Sequence, residues 1–171
     1  MTIQILGAML IVCAAGYVGV SQSMTLRLRT RELNALHTAL ELMRHEIQAN
    51  QSPLADVCML VSLNTRGQTA QLFDALARGL AARSPAGVQA LAADALRASG
   101  LPLQAMEHQA LLDLAAAMGR FDLEGQLRAL ELASDRFARF ARQAESQQRE
   151  KSRSYSVLGV CAGLALVILF A

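Results

Sequence analysis

Every Asp, Glu, Lys and Arg of this 171-residue chain falls between Arg27 and Arg153, and each end outside that interval is an uncharged, largely apolar run. Such a run cannot be left in water; it must be covered by protein or by lipid. Ile3–Val20 reads IQILGAMLIVCAAGYVGV, about 27 Å of helix at ~1.5 Å per residue, which approaches the ~30 Å hydrocarbon core of a bilayer. Val157–Ala171 reads VLGVCAGLALVILFA and reaches only about 22 Å. Ser154, Tyr155 and Ser156 extend it to about 27 Å, and snorkelling of Lys151 and Arg153 with local thinning absorbs the remainder. A secretory leader carries basic residues before its apolar run. Here none precedes Ile3 and three arginines follow Val20. The expectation is a transmembrane helix over 1–22, a helical domain over 23–153 and a second transmembrane helix over 154–171.

The flanking charges orient that arrangement. Arg27, Arg29 and Arg31 follow the first run, and Arg149, Lys151 and Arg153 precede the second. Basic residues favour the cytoplasmic side, so both ends independently predict a cytoplasmic middle domain. In that setting each of the six is worth ~1 kcal/mol against anionic headgroups.

The middle reads as all-α. Hydrophobic residues are 53% of the chain, aromatics only 4%, and there are three prolines. The apolar mass is Leu and Ala, strong helix formers. Leu33, Leu36, Leu40, Met43 and Ile47 form one stripe on a helix ending near Asn50. Ser52-Pro53 predicts the start of a short helix to about Leu63, with Ser as cap. Thr65 with Gln68 predicts a capping box before Leu72, Phe73, Leu76 and Leu80. Ser84-Pro85 repeats the start signal ahead of Leu91, Ala95 and Leu96, and Gly100 ends that helix as a left-handed C′ residue. After the Leu101-Pro102 turn, Leu111, Leu112, Ala115 and Met118 lead to Gly119, read as a second such stop. Asp122 caps a long last helix with Leu127, Leu130, Ser134, Phe137, Ala141 and Ala144 on one face. The prediction is a bundle of about six helices with short loops.

Chemistry is sparse. Sixteen basic against fourteen acidic residues argue against nucleic acid as a partner, and no phosphate loop, GxSxG or HExxH is present. No enzyme and no cofactor is expected. Three scattered cysteines make no disulfide framework or zinc site. His37, Glu41 and His45, at steps of four on one helix face, read either as a solvated face with i, i+4 pairs or as part of a metal site. Cys58, among Val57, Met59 and Leu60, reads as a small core hydrophobe or as a redox thiol. A membrane-tethered metal or redox sensor built on these residues is the alternative function. His108 stands alone, at the surface or partly buried. Gly119, Asp122 and Gln126 read as a structural corner, or as a docking point. Beyond them Arg139, Arg142 and Glu145 lie on a stretch of the last helix that is polar nearly all round, a candidate partner rim.

Three stretches carry a resemblance. LGAMLIVCAAGYVG is followed by RELNALHTALELMRHEIQANQSPLADV; MGRFDLEGQLRAL forms a Gly–Asp–Gln corner; EKSRSYSVLGVCAGLALVILFA closes the chain. In this order they resemble the stage III sporulation protein AB family of endospore-forming bacteria. The sequence departs from the family where Gln48, Ala49 and Asn50 follow Glu46-Ile47 without an aromatic. It departs again where Met118-Gly119 and Phe121 precede Asp122. The resemblance implies a platform role, similar to the inner-membrane platform protein F of type II secretion, in the channel complex between mother cell and forespore. It implies a secretion-type ATPase and other membrane proteins of that complex as partners. The lipid bilayer, from the apolar ends, and a second copy of the chain complete the expected partners. The middle domain would then lie in the mother-cell cytoplasm.

Overall fold

The computed structural model describes the backbone of residues 2–82 and 87–170 and the side chains of residues 24, 26–82 and 87–150. The apolar side chains of both ends, the Ser84-Pro85 start signal, Lys151 and Arg153 lie outside the described residues. Among those described, six α-helices account for the regular structure: α1 (Thr2–Asn50), α2 (Leu54–Asn64), α3 (Gly67–Ala81), α4 (Val88–Ser99), α5 (Ala105–Met118) and α6 (Leu123–Phe170). No helix among the described residues is long and apolar enough to cross a membrane. The chain divides into two units, Arg29–Arg142 and Met1–Leu28 with Gln143–Ala171.

The unit Arg29–Arg142 is an all-α bundle. Its core is the predicted stripe of α1, with Leu33 and Leu36 fully covered and Leu40, Met43 and Ile47 nearly so. Val57, Cys58 and Val61 of α2, Leu72 and Phe73 of α3, Ala95 and Leu96 of α4 and Leu111 of α5 are buried as well, and Leu130 and Phe137 of α6 are fully so. The short helices pack in succession, α2 on α3, α3 on α4 and α4 on α5. Antiparallel neighbours joined by short loops bury their apolar faces this way at little loop cost.

Three local stop and start signals resolve differently from expectation. Ser52 does not cap α2. Pro53 holds the cap position without a side-chain bond, and Ser52 Oγ donates instead to Glu46 Oε1 at 3.0 Å, beside Asn50 Nδ2 at 2.9 Å. The chain leaves α1 through Gln51, whose φ of 49° and N–H to the Ile47 carbonyl make a left-handed helix stop. Thr65 and Gln68 do not form a box. Thr65 Oγ1 bonds back to the Val61 carbonyl and Gln68 Nε2 to the Gly100 carbonyl. Gly119 is not left-handed (φ −86°), whereas Gly100 is (φ 62°). The reason at Gly119 lies seven residues on. The Gln126 amide takes the Met118 and Phe121 carbonyls at 3.1 Å each, so no left-handed turn is needed to satisfy them.

Candidate functional site

Polar groups inside a helical bundle are costly unless bonded, so those buried here mark where the fold is specified. α1 carries a line of them. Arg29 and Glu32 stand one turn before Leu33 and Leu36, on the side of α1 that packs inward. Glu32, 3% exposed, points its carboxylate at the start of α3. It accepts Thr69 N–H at 3.0 Å, Thr69 Oγ1 at 2.7 Å and Gln68 N–H at 3.4 Å. The two N–H groups are orphan donors of a helix N-terminus, where a negative charge is favoured. Gly67 makes room for it: its φ is +72°, and a Cβ there would lie 2.5 Å from Glu32 Oε1.

Arg29 reaches α5. Its Nη2 lies 2.5 Å from Glu107 Oε1, while Glu107 Oε2 accepts the Gln104 N–H at 2.6 Å as the return half of a capping box. Both side chains are largely withdrawn from solvent, 13% and 2% exposed.

Farther along α1, the His37–Glu41 step is closed by α6. Ser134, buried, donates to Glu41 Oε1 at 2.5 Å and lies 3.0 Å from His37 Nδ1. A hydroxyl has one proton; with that proton directed at the Glu41 carboxylate, the Ser134–His37 contact is made by Nδ1–H donating to the Ser134 oxygen. Arg44 holds the other Glu41 oxygen at 2.9 Å. The Ser134 hydroxyl first, and then Arg44, hold the Glu41 carboxyl below its ordinary value. His45 is exposed and does not join them. Among the described residues no three His, Cys, Asp or Glu side chains converge as a metal site.

Cys58 lies against a crevice of about 40 Å³ lined solely by apolar side chains, Leu40, Met43, Phe73, Leu76 and Leu111 among them. Burial pushes its thiol up to about 12. This is a core position rather than an activated nucleophile.

The α5–α6 corner is closed by its own side chains. Asp122 Oδ1 accepts Gly125 N–H at 3.1 Å as an N-cap. Gly125 has no space for a Cβ, which would meet Phe121 Cβ at 2.7 Å. Phe121 (55% exposed) and Leu123 (39%) project outward from this corner.

Of the six flanking basic residues, the four among the described residues separate. Arg27, Arg31 and Arg149 are exposed, while Arg29 is drawn into the bundle by Glu107. On the rim, Arg139 and Arg142 are exposed and Glu145 half-buried. His108 is half-buried.

Sequence reasoning missed Glu32, Glu107 and Ser134 as partners. The signal was present for two of them. Glu32 is a charge on the buried side of an apolar stripe, and Glu107 stands three residues after a capping Gln104, the N3 position of a capping box.

A family model described as Stage III sporulation protein AB matches residues 4–171. The chain is 24% identical over 168 residues to "Stage III sporulation protein AB" of Bacillus subtilis (strain 168), covering 98% of both chains. A solved structure of Stage III sporulation protein AB superposes with a TM-score of 0.65 at 22% identity, over 72% of this chain and 98% of that one. That likeness supports the all-α fold.

Proposed function

Since the chain belongs to the stage III sporulation protein AB family, we propose that it is a non-enzymatic platform component of the sporulation channel between mother cell and forespore. In this reading helices at both ends hold it in the mother-cell membrane. Residues 23–153 lie on the cytoplasmic side, where they dock a secretion-type ATPase beside other membrane proteins of the complex.

The observation that carries the reading is the extent of the family match, residues 4–171, which takes in both apolar ends together with the bundle. Physical chemistry supports it. A domain joined to a bilayer by helices at both ends loses its freedom to tumble. It can then hold a partner in a fixed orientation and bear load.

Two measurements test this. Reporters fused at Met1 and at Ala171 should both be found on the side away from the cytoplasm. Either tail in the cytoplasm, or recovery of the intact chain in the soluble fraction, refutes the topology. The detergent-solubilised chain should co-purify with the secretion-type ATPase from sporulating cells. Its absence from material in which the chain is intact removes the docking role and leaves the topology standing.

A further inference from the structure

A second surface is built between α5 and α6. The groove is lined near Met106 of α5 by Arg136 and Phe140 of α6, and near Ala117 of α5 by Ala129 and Ala133 of α6, so the two helices run antiparallel along it. One part, about 410 Å³, is lined by Met106, Asp113, Arg136 and Phe140. The other, about 130 Å³, continues past Leu132 over alanines at 110, 117, 129 and 133. An alanine floor lets another backbone approach closely, and Met106 and Leu132 stand 75% and 57% exposed on its edges.

Two opposite charges share this groove without meeting. Among the described residues Arg136 makes no ion pair, and Asp113 accepts only from Gln109 of its own helix at 2.8 Å. Both are exposed, so an occupant that offers a carboxylate to Arg136 and a cation to Asp113, with apolar side chains between, matches the groove in charge and in shape. The same groove on another copy offers that set. A two-fold interface brings a patch against itself, residue i on j and j on i. An axis passing between the two charges sets each Arg136 against the partner's Asp113. We propose that the α5–α6 groove is the self-association surface of this protein, its register set by reciprocal Arg136–Asp113 pairs. Such pairing needs no membrane, though two-dimensional confinement would raise the effective concentration and let a modest interface suffice.

Charge reversal gives a test specific to a second copy. Two differently tagged copies of the whole chain are co-expressed, extracted in mild detergent and recovered through one tag. Wild-type copies should be recovered together. Asp113→Arg paired with itself sets arginine against arginine, and Arg136→Asp paired with itself sets carboxylate against carboxylate. Each should lower co-recovery about tenfold, since like charges brought together across an interface are strongly unfavourable. Mixing the Asp113→Arg chain with the Arg136→Asp chain restores both opposite-charge contacts, and co-recovery should return to near the wild-type level. That rescue is possible only if both variants fold. The proposal is overturned if wild-type copies are not recovered together or if either reversal paired with itself associates as wild type does. It is also overturned if the mixed pair stays apart while both variants melt like wild type, in which case the groove serves a different protein.

Discussion

With its thiol pushed up to about 12, Cys58 is almost entirely protonated near neutrality, and the thiolate is the form that reacts. Iodoacetamide at about pH 8 should therefore leave Cys58 unlabelled in the folded chain and label it readily in denaturant, as read by peptide mass spectrometry. Rapid labelling under native conditions would reopen the redox reading of this residue. Glu41 behaves in the opposite sense. Ser134 and Arg44 hold its carboxyl below the ordinary 4.5, so the folded state binds that proton more weakly than the unfolded chain does. The resulting stability is fully present above the unfolded value and is lost as pH falls through the lowered one. Ser134→Ala removes the largest cause. The variant should lose less stability than wild type on acidification from about pH 7 to about pH 3, measured by urea midpoints. An equal acid loss in both proteins would mean that the Ser134–Glu41 bond does not favour the ionised form.

At the scale of the helix, the start of α3 depends on a carboxylate 37 residues upstream of Thr69. Glu32→Ala leaves the Thr69 donors without their acceptor and should cost about 2–3 kcal/mol, as for hydrogen bonds to a charged group. Gly67→Ala should cost about 1–2 kcal/mol for its left-handed backbone alone, and more because its methyl displaces the Glu32 carboxylate. In the Glu32→Ala background only the backbone part remains. The double variant should therefore be more stable than the sum of the singles predicts, by about 1 kcal/mol in denaturant titrations. Strict additivity would refute the shared cap. This contact explains which features the sequence revealed. The apolar stripe on α1, the Gly100 stop and the run Leu130, Ser134 and Phe137 on α6 follow from local spacing, and local spacing located them. Ser52, Thr65 and Gly119 carry local end signals whose hydrogen bonds go to Glu46, Val61 and the reach of Gln126. The donors freed at α3 are taken by a residue that sequence distance hides. The α5–α6 groove was hidden for a similar reason, since Asp113 and Arg136 read as ordinary solvated residues until antiparallel packing places both along one groove.

Over the whole bundle, α1 is the element that others are fastened to: α3 through Glu32, α5 through Arg29 and α6 through Ser134. A helix bonded at three points along its length makes local loosening expensive, because freeing α3 or α6 takes donors from a carboxylate of α1 and freeing α5 parts Arg29 from Glu107. The Arg29–Glu107 pair is where this can be measured. Glu107 is 2% exposed, and removing only its cation leaves a buried carboxylate uncompensated. Arg29→Met should then cost about 3–5 kcal/mol. Replacing both members as Arg29→Met with Glu107→Gln removes the stranded charge while keeping an amide oxygen for the Gln104 N–H, and should recover most of that loss. Native-state hydrogen exchange separates a local from a shared effect. If α1 unites the bundle, Arg29→Met lowers protection in α1, α3 and α5 together, and the double variant restores all three. Loss confined to the first turn of α5, or a double variant as unstable as the single, would show that the pair is a local capping detail and that the bundle is held by its apolar core alone.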